Sequence, residues 1–168
     1  TIAREWERGT MEQLITTPVK TPELITGKLI PYFLIGFIDM VLSILIVIYL
    51  FNVSLKGNVL LLMILSGIFL FGGLSLGILI SIITKSQIVA CQVSLIVSYL
   101  PALLLSGFMF SIYNMPKPLQ FITYIIPARY FVTILKGIFL KGNTISSLFL
   151  ETLLLTVFGI AAFVLSVK

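Results

Sequence analysis

Few side chains on this chain can do chemistry. Its 168 residues include no histidine and one cysteine, Cys91. That excludes histidine acid–base catalysis, zinc sites built on His and Cys, and a disulfide within the chain. The acids are Glu5, Glu7, Glu12, Glu23, Asp39 and Glu151. An intramembrane hydrolase would need paired acids, an HExxH pair or a Ser–His set, whereas Asp39 stands alone in its apolar stretch. Gly27-Lys28 lacks the upstream glycine and the following Ser or Thr of a phosphate-cradling G-x-x-x-x-G-K-[ST] loop. The sequence predicts no catalytic residue, no metal site and no cofactor on this chain, and a protein that is not an enzyme.

The remaining polar and small residues read as structural or path-lining. Asp39 is an intramembrane acid, a costly group that is functional by default. It could line a translocation path, pair with a basic group on another helix, or make a buried hydrogen bond. Gly73 and Gly77 form a GxxxG pair with Ser81 further along the same face, which suits close helix packing inside the subunit or at a dimer seam. Arg129, two residues after Pro127, could pair with Glu151 or with lipid phosphate, or simply snorkel. Cys91 reads as small apolar packing.

These residues sit in a chain that is 59% hydrophobic and 10% charged, with mean hydropathy +1.18. A soluble domain is about 25% charged. A soluble fold of this size could not cover so much apolar side chain, and a disordered chain would not carry it. The net charge of +5 is read as water-facing Lys and Arg at membrane edges, not as a nucleic-acid surface. The predicted fold is an all-α membrane protein. Four stretches of about 20 apolar residues can span, at about 29–51, 59–83, 88–110 and 148–167. Pro101 should kink the third.

Residues 111–144 are broken by Pro116, Pro118 and Pro127. They predict two short helices, Leu119–Ile126 and Ala128–Leu140, forming an outer re-entrant or interfacial pair. Their Tyr and Phe residues, Tyr130 among them, suit a headgroup-level belt or an outer gate. Residues 1–28 form a polar head and 29–168 the transmembrane domain. With the head inside, six basic residues lie within and five outside, a bias too small to orient the chain.

In the head, Ile2 and Trp6 lie four apart, giving a short amphipathic helix over Ala3–Arg8 suited to a membrane surface. Gly9 ends it. Thr10-Met11-Glu12-Gln13 has the capping-box form, with Thr10 as N-cap, and predicts a second helix over Met11–Thr16 that stops before Pro18. Thr21 then caps a helix with Pro22 in its first position, running through Lys28 into the first span. This head is either a solvated connector or a docking element for a partner.

The run Ala3-Arg4-Glu5-Trp6-Glu7-Arg8-Gly9-Thr10-Met11-Glu12-Gln13-Leu14 with Thr17-Pro18, then Gly27-Lys28-Leu29-Ile30-Pro31-Tyr32, resembles type-2 ABC (ATP-binding cassette) exporter permeases of the bacterial multidrug branch. So do Ile80-Ser81 and Thr84, Leu104-Leu105-Ser106-Gly107-Phe108-Met109-Phe110 and Met115-Pro116. Tyr124-Ile125-Ile126-Pro127-Ala128-Arg129-Tyr130-Phe131 and Phe139-Leu140-Lys141-Gly142-Asn143 complete the likeness along the whole chain. The resemblance implies that Arg8, Gly9, Thr10, Met11, Glu12, Gln13 and Leu14, with Thr17 and Pro18, form a cytoplasmic coupling helix contacting the ATPase. It implies that residues 115–143 are a re-entrant pair on the outer side. It also implies that the four spans are the last four of six, with two spans and a periplasmic domain preceding Thr1.

ATP and Mg would then be bound by separate ABC ATPase subunits. The other expected partners are a second permease subunit, identical or paralogous, the lipid bilayer and a membrane-fusion protein; nucleic acid is not among them. The expected place is the bacterial inner membrane, multi-pass, and the expected cargo drugs, lipids or amphiphilic metabolites. A non-transporting scaffold and an ion-gradient-driven transporter are the alternatives.

Overall fold

The structure, a computed structural model, describes residues 2–16, 20–53, 55–142 and 145–167, with the backbone alone for 13–15 and 145–146. The described residues are helical and contain no strand. Two short helices, α1 (Ile2–Glu7) and α2 (Thr10–Ile15), form the head. The first span, α3 (Thr21–Tyr49), continues unbroken from the head into the apolar stretch. Its N-cap is Lys20, whose N–H is accepted by the Glu23 carboxylate at 3.1 Å. Thr21, the expected cap, is the first helical residue, because Glu23 reaches back and satisfies that end.

Residues 50–53 and 55–58 lead to α4 (Val59–Thr84), opened by the Asn58 side chain accepting from Leu60 N–H at 2.8 Å. α4 ends at Lys85, which takes a left-handed φ of +53°. The third span is interrupted and shorter than expected. It consists of α5 (Gln87–Ser94), a wide π-turn at Leu95–Tyr99 and α6 (Leu100–Leu105). Pro101 has no N–H for the carbonyl of Val97, so the ladder loosens just before it. Beyond Leu105 the chain leaves the helix at Ser106 and turns at Gly107, φ +82°. The 88–110 expectation ran five residues too far because apolar composition persists past this break.

The far-side segment holds α7 (Lys117–Thr123) and α8 (Pro127–Lys136), which runs on as a π-turn through Lys141. α7 and the α8 unit are bent by 86° at the break. The last span is α9 (Phe149–Val167).

Packing centres on α4. α9 runs beside it in the same direction, and the two backbones meet at Gly72 and Gly159, where a Cβ on Gly72 would lie 3.3 Å from the Gly159 Cα. At the far end Leu62 and Leu65 of α4, Ile134 and Ile138 on and after α8, and Leu148 form the buried core. Phe131 of α8 stacks on Phe69 of α4 with ring centroids 4.1 Å apart. Phe69 lies ten residues below Val59, about 15 Å down the helix. Pro127 and Ala128, a turn deeper, border the same cavity as Gly72, Gly73 and Leu76. The tip of the pair therefore reaches the middle of the bundle, as the re-entrant alternative expects, because Ile134 and Ile138 draw α8 along the apolar face of α4.

Candidate functional site: the head and the turn it grips

α1 is a helix of six residues and cannot hold itself together in water. Three spans hold it. Ile2 and Ala3 are buried, at 3% and 0% exposure. The Ala3 N–H donates to Ser81 Oγ, in the last turn of α4, at 2.8 Å. The Lys85 ammonium sits 4.6 Å from the centre of the Trp6 ring. Glu7 Oε1 accepts from Ser86 Oγ at 2.9 Å and from Gln87 N–H at 2.8 Å. Ser86, at the N-cap of α5, makes no side-chain cap bond of its own, so Glu7 caps α5 from another element, placing a carboxylate at its positive end. Glu5 forms an ion pair with Lys28 of α3. The apolar side of α1 thus faces protein rather than a membrane surface, since the 84–87 turn supplies donors that lipid would not.

α2 rides outside α1. Gly9 makes the turn between them with φ +69°, a conformation that suits glycine. Thr10 is the first helical residue, and its hydroxyl donates to the Glu5 carbonyl at 3.3 Å. The hydroxyl thus turns back to α1, whose last carbonyls lack partners, while the Gln13 side chain of the expected capping box lies outside the described residues. Arg8, Gly9, Thr10 and Glu12 are exposed and Met11 is half-buried. Gln13 and Leu14 lie on α2; Thr17 and Pro18 fall outside the described residues. The outward surface is α2, the bonded surface is α1, and the bonds end on α3, α4 and α5. A push on α2 therefore reaches three spans through short polar contacts.

The other expected site residues are scattered. Gly73 and Gly77 are exposed, and a Cβ on either would meet nothing within 4 Å. Close packing inside the chain belongs to Gly72 and Gly159 instead, one position round the helix. Ser81 is a buried hydrogen-bond acceptor for α1, not a packing notch. Arg129 does not meet Glu151; among the described residues the one ion pair is Lys28–Glu5. Its guanidinium donates to Thr123 Oγ1 and, at 3.5 Å, to the Gln120 carbonyl, and lies 3.8 Å from the Tyr124 ring centre. The Tyr130 hydroxyl donates to the Tyr124 carbonyl at 2.6 Å. Pro127 opens α8 and folds α7 under Arg129. Arg129 thus closes the deep bend, while Glu151 is a turn inside the far end of α9.

Asp39 is exposed, and its carboxylate has no partner among the described residues. It lies ten residues from both Leu29 and Tyr49, so about 15 Å from each end of the apolar stretch. A charge at such a depth facing lipid costs about 2.5–3.5 kcal/mol on insertion scales.

A cavity of about 680 Å³ opens between α4, the α5–α6 span, α9 and the tip of the re-entrant pair. Gly73, Leu76, Cys91, Ser98, Pro101 and Pro127 are among its walls. Its size and apolar lining suit an amphiphilic small molecule. Sequence reading missed the parts played by Glu7, Trp6, Lys85 and Ser86. The polar Thr84-Lys85-Ser86-Gln87 turn was the available signal, since a turn with a free helix start and a cation invites a carboxylate and a ring.

A family model described as "ABC-2 family transporter protein" matches residues 1–168. Among curated proteins, "Probable multidrug ABC transporter permease YbhS" of Escherichia coli (strain K12) is 47% identical over 142 residues, 84% of this chain and 38% of that protein. "Probable multidrug ABC transporter permease YbhR" of the same organism is 33% identical over 147 residues, 86% of this chain and 39% of that protein. "ABC transporter G family member 20" of Dictyostelium discoideum is 30% identical over 134 residues, 80% of this chain and 18% of that protein. The chain thus spans less than two-fifths of the length of each E. coli relative. No solved structure matches it.

Proposed function

We propose, from the premise that this chain belongs to the ABC-2 transporter family, that it is part of the membrane permease of an ATP-driven exporter. The chain is a multi-pass membrane segment with four helices long and apolar enough to cross. The proposed cargo is drugs, lipids or other amphiphilic small molecules, moved out across a bacterial inner membrane. The apolar cavity beneath the re-entrant tip and the names of the E. coli relatives support that class.

The observation that carries the mechanism is the head clamp. α2 and the turn before it present Arg8, Thr10 and Glu12 outward, while α1 is bonded to Lys28, Ser81, Ser86 and Gln87. A separate ABC ATPase, which binds ATP and Mg, seats α2 in a groove on the cytoplasmic side. Its closure on ATP moves α2 and α1 as a unit and tilts α3 and the α4–α5 hairpin. ATP binding drives this only so far as it favours one arrangement of the spans over the other. A second permease subunit completes the wall of the path. Neither the chain nor its relatives' names supports the membrane-fusion protein that the sequence resemblance led one to expect.

Glu12→Arg in the intact transporter reverses charge on the outward side of α2 without touching the clamp. Transport and co-purification of the ATPase are both expected to fall about tenfold, the equivalent of about 1.4 kcal/mol. Unchanged association with unchanged transport would sink the docking role. Transport that persists with ATP depleted and an ion gradient in place would favour the gradient-driven reading.

A further inference from the structure

We infer that the Asp39 face of α3 is an interface for another transmembrane helix, one that brings a lysine or arginine to the middle of the bilayer. Along this face Tyr32, Ile35, Asp39, Leu42 and Ile46 are all exposed, at about one-turn spacing. It is a full-length stripe that no described element covers. Four of the five residues are large and apolar, so the face is not the lining of a water-filled path, which needs polar groups along its length. Asp39 sits at its centre, at mid-membrane depth. Its backbone carbonyl accepts from Ser43 Oγ at 2.8 Å, but the carboxylate accepts from nothing described. In hydrocarbon a carboxylate persists where a cation or a strong donor meets it.

The chemistry of the partner follows from which cations this chain can offer. Lys28 is engaged by Glu5 at the head end. Lys56, Lys117, Lys136 and Lys141 lie on the far-side segments. The basic side chain of the described residues that reaches similar depth is Arg129, and it is engaged by Thr123, Gln120 and the Tyr124 ring. A second copy packed face to face would bring a second carboxylate, which repels the first. The occupant is therefore a helix of different sequence with a mid-span Lys or Arg, and large apolar residues a turn to either side to meet Ile35 and Leu42. This reading does not depend on what is transported.

The test uses the intact protein in native membranes with Cys91 replaced by alanine. Asp39→Leu is expected to lower the folded amount about tenfold, since it strands the partner's cation; an unchanged or higher amount overturns the inference. A photoreactive residue at Leu42 leaves Asp39 in place and does not rely on a destabilised variant. The expected adduct is to an apolar segment carrying a central Lys or Arg. Adducts to lipid, to residues 29–49 of a second copy or to its re-entrant tip overturn the inference. Exchanging the charges, Asp39→Lys with the partner's cation changed to Asp, is expected to restore the lost amount, and failure to restore it overturns the pairing. A cysteine at Ile35 that reacts with a water-soluble thiol reagent as fast as one in the head also overturns it, because the face would then line water.

Discussion

Replacing Glu7 by alanine is expected to unfasten the α4–α5 turn from the head and, in the proposed exporter, to uncouple ATP turnover from transport, while leaving the protein in the membrane. Glu7 Oε1 holds the Ser86 hydroxyl and the Gln87 N–H at once. Without it α5 begins with no cap, since Ser86 makes none. Loss of a helix cap costs about 0.5–2 kcal/mol, and a charge-assisted bond is worth about 1.5–3 kcal/mol. Both bonds are exposed to water, so the lower part of these ranges applies: about 1.5 kcal/mol, or roughly tenfold more frequent opening of the turn. Amide hydrogen exchange over residues 86–90 measures this directly, and it should quicken about tenfold. Glu7→Gln keeps an acceptor oxygen but loses the charge, and should fall between wild type and alanine. Glu7→Lys places a cation at the positive end of α5 beside Lys85 and should exceed alanine in effect. If exchange at 86–90 is the same in Glu7→Ala and wild type, the clamp is not what holds the turn.

Gly72→Leu is expected to be the most destabilising single change in the spans. The α4 and α9 backbones meet there, and even a Cβ would lie 3.3 Å from the Gly159 Cα, an atom that cannot rotate away. A leucine must push the helices apart along their shared length and disturb the Phe71–Phe163 contact beside them, whose centroids are 5.6 Å apart. Overpacking of this kind costs about 1–3 kcal/mol, and a branched side chain against backbone belongs at the upper end. Gly73→Ala and Gly77→Ala carry the opposite expectation. A Cβ at either meets open space within the chain, and replacing glycine by alanine inside a helix gains about 0.5–1 kcal/mol. Thermal unfolding in detergent should therefore show Gly72→Leu well below wild type and the two alanine variants at or above it. A Gly73→Ala variant that melts as low as Gly72→Leu would mean that the glycine contact has been assigned to the wrong face.

That contrast marks how far the sequence can be read. The spans were legible because length and composition alone decide whether a helix can cross hydrocarbon. The second was expected at 59–83 and runs Val59–Thr84. The third was misjudged at its far end, since Ser106-Gly107 breaks the helix while Phe108, Met109 and Phe110 keep the apolar count high. The GxxxG spacing pointed to Gly73 and Gly77, but a spacing says which residues share a face and not which neighbour stands there. Gly72 was passed over because its partner, Gly159, is 87 positions away. The bend at Pro127 was readable from proline chemistry. Its depth was not, because that follows from Ile134 and Ile138 finding Leu62 and Leu65. The head's two helices were visible in local pattern, whereas the grip of Glu7 on Gln87 joins residues 80 apart and has no periodicity to announce it.

The sharp bend between α7 and α8 also decides a question of parity. Had Lys117–Lys141 been one straight rod, the described stretch would cross five times, and Ile2 and Val167 would emerge in opposite compartments. Bent by 86°, with the Lys136 ammonium on the Gly107 carbonyl and Gly142 against Lys56, the segment comes back to the side on which it began, and a re-entrant pair of this shape leaves four crossings. An epitope joined ahead of Ile2 and another joined after Val167 therefore share one compartment, and a protease offered to sealed vesicles removes both tags or neither.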